Sequence, residues 1–419
     1  MVHKIIIDTD PGVDDTLAIL LLLASPEISI ELISVTFGNT VVDRAFLNVL
    51  KVYNVARKHL AQTLQSATSR SVFPNLTKDT PTILAKGAAR PIEGSLDLAE
   101  YFHGFDGLSE ISRTRPDFSG DVDQPDKALT ITQMPGHEAV LQLLAKEPAG
   151  SVTILALGPL TTVALAYQQD PETFRKVARV VSMGGALDVP GNTSATAEFN
   201  FFADPHGAKI VMGGATKGEF RMVVLPLDIT QQHSIHFNKL IRTSSSPNAN
   251  NAANGTSEPV LYDFLTAILS RPRKALRAWG LLTDTFDMHD PLAAYYVIDT
   301  AANRGLTTNE GGKERWKLTK RKFLMERTGE WTKGTCVVDR RQTEEVDGAV
   351  RSRDGITHDA SKEGQGGAVP AKAEGEATAT EYIIPELAHP HTLEVSIVTA
   401  SPGVETFEKL FLARVYGDV

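Results

Sequence analysis

The chain has 419 residues, of which 42% are hydrophobic and 22% charged. This ordinary globular balance can bury a sizeable core and excludes a fibrous or wholly disordered chain. With 42 basic against 51 acidic residues the formal net charge is −9, which leaves no basic excess for phosphate neutralisation and argues against DNA or RNA as a partner.

In chain order, Lys4–Ile7 reads as a short β-branched strand ending at Asp8. Residues 14–24 follow with helical composition and stop at Ser25-Pro26. Ile28–Thr36 is a second strand, and 41–58 is a helix with Val42, Phe46, Val49, Leu50 and Tyr53 at helical spacing. Ser151–Leu157, Val177–Met183 and Phe220–Leu225 are further continuous apolar strands. This βαβα alternation, with strands apolar on both faces, predicts an α/β fold: an open mixed, mainly parallel sheet with helices on both faces. Residues 61–80 are polar and predict a loop. Residues 243–258 hold almost nothing that packs and predict a mobile loop. Residues 342–380 contain no aromatic residue and predict a disordered, low-complexity insertion between two strands, Thr335–Asp339 and Leu393–Val398, which are placed to form a hairpin. The remainder reads as one domain over 1–419.

The single cysteine, Cys336, cannot form an intramolecular disulfide, which favours a reducing compartment. The longest apolar run, Leu17–Ala24, has eight residues, far below the ~18 that span a bilayer. Acids stand where a leader's apolar segment would be, so a cytoplasmic protein without membrane contact is expected.

Chemistry concentrates in Asp8-Thr9-Asp10-Pro11-Gly12-Val13-Asp14-Asp15. Four carboxylates crowd the carboxyl end of the first strand, where open α/β sheets bind ligands. Such carboxylates repel and raise one another's pKa. A hard cation relieves this, and carboxylate oxygens suit calcium or magnesium. The helix N-terminus stabilises Asp14 and Asp15 by only about 0.3–1 kcal/mol each. Turn and cap roles for single acids are the plain alternative.

This segment resembles the signature of the calcium-dependent nucleoside hydrolases of the inosine–uridine-preferring type. Six further stretches match in the family's order: Val35–Asn39, His103–Leu108, Leu155–Thr161, Met183-Gly184-Gly185 with Asn192 and Glu198–Asn200, Met288–Pro291, and the closing segments Trp331–Arg341 and 404–415. The match spans nearly the whole chain except 61–80, 112–130, 243–258 and 342–380. The chain departs from the family at Thr162, where Asn is frequent, and in its 342–380 insertion. The 243–258 segment occupies a region that helps cover the base in relatives.

The resemblance implies a Rossmann-like core and a homodimer or homotetramer. The activity it implies is hydrolysis of purine or pyrimidine ribonucleosides to ribose and free base. It implies that Asp10, Asp15, Asp290 and the Leu157 carbonyl hold Ca2+, and that Asp10 accepts the proton of a calcium-bound water. Asp14, Asn39, Met183, Asn192, Glu198, Phe199 and Asn200 would bind substrate. His289 would give a proton to the leaving base, and His103, a residue whose charge can switch near neutral pH, would reach the pocket. Two alternatives stand beside this reading. Ile5–Asp10 also resembles the start of a haloacid-dehalogenase-type phosphatase, and the same fold could serve a non-catalytic ribose- or calcium-binding protein.

Overall fold

The computed structural model describes residues 2–64, 73–119, 125–242, 259–281, 283–302, 316–340 and 392–417. The expected mobile loop at 243–258 and the expected insertion at 342–380 lie outside these residues. Twelve strands are present among them: β1 (His3–Thr9), β2 (Ile28–Val35), β3 (Thr82–Lys86), β4 (Leu129–Ile131), β5 (Val152–Ala156), β6 (Arg179–Met183), β7 (Met222–Leu225), β8 (Ser234–His236), β9 (Thr285–Asp287), β10 (Lys317–Met325), β11 (Cys336–Val337) and β12 (Leu393–Ala400). Ten form one sheet in the order β11-β10-β12-β7-β6-β5-β1-β2-β3-β4, while β8 and β9 form a separate antiparallel pair. Only β10 runs against the rest of the large sheet, since β11 is antiparallel to β10 and so shares the direction of the others. This is the expected mixed, mainly parallel α/β sheet.

The strands are apolar on both faces because both faces are covered. Ile5 and Ile7 of β1 face one core with the helices Val13–Leu23, Val42–Leu64, His289–Ala302 and Val404–Tyr416. Ile6 faces a second core with the helices Gly136–Lys146, Thr161–Gln169 and Pro205–Thr216. Each fully buried aliphatic side chain contributes about 1.5–3 kcal/mol. Among the described residues no helix is long and apolar enough to cross a membrane.

Two expectations are corrected. The segment 61–80 is not all loop. The long helix continues to Leu64, and Pro74–Thr77 forms a short helix that buries Phe73, Asn75 and Leu76. The Asn75 amide donates to the Leu22, Ser25 and Ile28 carbonyls and accepts from Ile30 N–H, pinning the turn between the first helix and β2. The strands flanking the insertion also make no hairpin. β11 is only Cys336–Val337 and pairs with β10, and β10 lies between β11 and β12.

The fold positions the site through its strand order. From β1 the chain winds one way through β2, β3 and β4 and the other way through β5, β6 and β7. The crevice outside the carboxyl ends of β1 and β5 is therefore the topological switch point where such sheets bind ligands.

Candidate active site

Four neighbouring strands, β6, β5, β1 and β2, deliver their carboxyl ends to one cavity of about 360 Å³, within the size range of small-molecule sites. At the end of β1, Asp10 is buried. Its Oδ2 accepts from Asn39 N–H at 2.7 Å. Its Oδ1 is buried with no hydrogen-bond partner. Two glycines clasp this carboxylate: a Cβ on Gly38 would lie 2.0 Å from Oδ2, and one on Gly158 2.4 Å from Oδ1.

Asp15 sits in the first turn of the next helix. Its carboxylate accepts from the Thr9 hydroxyl, from Gly12 N–H at 3.0 Å and from the Asn39 amide at 2.8 Å. Asp14, on the same turn, faces the cavity. Asp290 comes from the first turn of the helix His289–Ala302, which packs against the helix bearing Asp14 and Asp15. Carboxylate oxygens of Asp14, Asp15 and Asp290 lie within 4.8 Å of one another. Burial, reinforced by Asp15 and Asp14, raises Asp10 well above the usual carboxylate range. Burial, then Asp14, Asp15 and Asp10, does the same to Asp290. Burial and Asp15 push Asp14 to about 8. Such mutual repulsion, together with the orphaned Asp10 oxygen, fits a set of groups that could hold a metal ion.

The other expected sugar residues line the same cavity. Glu198 caps the helix Phe199–Ala203, accepting from Asn200 N–H at 2.7 Å, Gly185 N–H at 2.8 Å and Phe201 N–H at 3.1 Å. Burial nevertheless raises it to about 7. The Asn200 amide donates to the Leu157 carbonyl at 2.6 Å and the Met183 carbonyl at 3.2 Å. Asn192 Oδ1 accepts from Phe199 N–H at 3.0 Å, and the residue lines the cavity. Asn39, Leu157, Met183, Phe199, His103 and His289 line the same cavity.

The two histidines differ from expectation in charge. The Nδ1 of His103 accepts from Val13 N–H at 3.2 Å. Burial, with help from His289 and Arg271, lowers its pKa to about 3. Burial lowers His289 to about 4, and its Nδ1 meets the Thr230 hydroxyl at 2.7 Å. His103 is therefore neutral near pH 7 and not a charge switch there. Both rings face the cavity as neutral hydrogen-bonding groups.

The profile of the inosine-uridine preferring nucleoside hydrolases matches residues 5–363. The chain belongs to this family. It is accordingly a hydrolase of ribonucleoside N-glycosidic bonds. A pyrimidine-specific ribonucleoside hydrolase, RihA, of Salmonella schwarzengrund is 30% identical over 342 residues, covering 81% of this chain and 89% of the relative. Among solved structures, a plant nucleoside hydrolase superposes with a TM-score of 0.64 at 22% identity, covering 99% of both chains. A purine-preferring ribonucleoside hydrolase from Gardnerella vaginalis gives 0.62 at 19% identity, covering 99% of this chain and 98% of that one.

This nucleoside hydrolase has a cavity wall that sequence reasoning missed. Phe102 stacks on Trp279 at 5.9 Å and on Phe286 at 6.4 Å, and Phe286 meets Phe237 at 5.8 Å. Gln231, Arg273, Asp284 and Asp287 line the same cavity. These residues come from five separate segments without shared spacing. The only local signal was the aromatic Phe102 beside His103.

Proposed function

We propose that this nucleoside hydrolase is a cytoplasmic calcium enzyme, folded as one domain over 1–419 and assembled as a homodimer or homotetramer, as its family resemblance implies. The reading rests above all on the buried Asp10 Oδ1, which lacks a hydrogen-bond partner and adjoins three more carboxylates. Asp10, Asp15, Asp290 and the Leu157 carbonyl would hold the ion. The carbonyl has a second lone pair to offer beside the Asn200 amide. Calcium bound there supplies positive charge that acidifies a water and grips ribose hydroxyls.

In the reaction, the water oxygen bonds to the anomeric carbon and the C–N bond breaks with its electron pair leaving on the base. Asp10 takes the water's proton, a role worth about 10²–10⁴ in rate. Asp14, Asn39, Asn192, Glu198 and Asn200 hold the ribose hydroxyls, with Met183 and Phe199 packed against the sugar, and so supply the orientation term. His103 and His289 hydrogen-bond the departing base, which takes up a proton from solvent to become the free base while Asp10 gives its proton back to solvent. The aromatic wall of Phe102, Phe286 and Trp279 gives its ring a face to stack on. A chromatographic assay of a ribonucleoside panel, with calcium and after chelation, tests the proposal. Ribose and free base should appear only with the ion. Nucleoside binding without base release would overturn it.

A further inference from the structure

The outer wall of the cavity carries an acid that this chemistry leaves unused. Asp287 ends β9, pairs in register with Ser234 of β8 and lines the cavity. The cations that line the cavity are already engaged: Arg273 and Arg277 both bind Asp284. Among the described residues no hydrogen bond or ion pair is made to the Asp287 side chain. It also stands apart from the acidic floor, because burial alone raises it, to about 6, whereas Asp290 is raised by its acid neighbours as well. At neutral pH it is thus an anion that only accepts hydrogen bonds, beside the stacked Phe102, Phe286 and Trp279 rings.

We propose that Asp287 reads the edge of the base and selects bases bearing an exocyclic amine, cytosine and adenine, over their oxo counterparts, uracil and hypoxanthine. This rests on the reading of the cavity as a ribonucleoside site. An amine donates to the carboxylate. An oxo group in its place sets lone pairs against lone pairs and leaves a desolvated charge without a partner, the arrangement by which polar sites reject near-isosteres. An amide at 287 can turn its N–H₂ toward an oxo group and removes the discrimination.

The test compares kcat/KM for cytidine, uridine, adenosine and inosine, using the full chain with calcium, in the wild type and in Asp287→Asn. The cytidine-to-uridine and adenosine-to-inosine ratios should both fall by about tenfold or more in the variant, the scale of a hydrogen bond to a charged group. Comparing ratios between the two enzymes cancels the intrinsic reactivity of each nucleoside. Asp287→Ser, checked with Asp287→Asn by melting temperature, should shift the ratios the same way. Independently of any variant, free cytosine should inhibit the wild type at lower concentration than free uracil. Unchanged ratios in both folded variants, or equal inhibition by the two bases, overturn the role of Asp287 while leaving hydrolysis intact. A wild-type chain that releases base from none of the four nucleosides overturns the hydrolase site and this inference with it.

Discussion

The Asp10 carboxylate occupies the space that a side chain on Gly158 would need: a Cβ there would stand 2.4 Å from Oδ1. Gly158 follows β5 and Asp10 follows β1, two paired parallel strands. The glycine is therefore demanded by close approach and not by a positive φ. Gly158→Ala should leave the melting temperature near that of the parent but displace the carboxylate proposed as general base. A misplacement of about 1 Å can cost 10²-fold in rate, so kcat should fall by about that factor. Turnover within threefold of the parent would show that the carboxylate tolerates the shift.

Removing the cation should abolish base release, and calcium should restore it. A second readout needs no turnover. An ion that binds only the folded chain stabilises it by about 2.7 kcal/mol at 100 times its Kd, so calcium should raise the melting temperature. Asp290→Asn should blunt that rise, since Asp290 shares its site with Asp14 and Asp15 within 4.8 Å. Asp10→Asn should lose about 10²–10⁴ in kcat as proton acceptor. A melting temperature indifferent to calcium, or near-parental turnover by Asp10→Asn, would contradict these roles.

His289 touches the Thr230 hydroxyl through Nδ1 at 2.7 Å, which leaves Nε2 for the leaving base. A natural base needs that hydrogen bond, whereas a nitrophenolate leaves without it. His289→Ala should thus slow inosine or cytidine hydrolysis by about 10²-fold or more, the scale of losing one hydrogen bond to a group on which charge develops, and an activated nitrophenyl riboside far less. Equal losses on both would mean that His289 only orients Asp290.

Much of this was legible in the sequence because the signals were local. The IIIDTDPGVDD run encodes a two-face-buried strand, a turn and a helix start, and the structure builds them as β1 and the helix Val13–Leu23. The strand β10, Lys317–Met325, was missed because its charged residues, Lys317, Lys320, Arg321 and Lys322, break the apolar pattern. It lies near the sheet edge, where charge is tolerated. Asn75 looked like a loop residue, yet its amide satisfies three carbonyls of another turn, a partnership that only tertiary structure creates. The aromatic wall was invisible for the same reason: Phe102, Phe237, Trp279 and Phe286 meet only in space.

A buried histidine away from the site sets a pH dependence of stability. His59 is 2% exposed, packed between Phe73 at 6.2 Å and Tyr262 at 6.1 Å, and neither ring nitrogen has a hydrogen-bond partner. Burial lowers its pKa from 6.5 to about 4. Between these values the unfolded chain binds a proton at His59 that the folded chain refuses, so stability rises with pH across this window. The contribution is present in full above pH 6.5 and is lost as pH falls toward 4, amounting to about 3 kcal/mol. Carboxylates titrate in the same range, so the comparison must isolate His59. Urea midpoints at pH 7 and pH 4.5 should be taken for the parent and for His59→Leu, which cannot titrate. The parent should lose more stability than the variant on acidification. Identical losses would mean that the folded protein accommodates the charged ring.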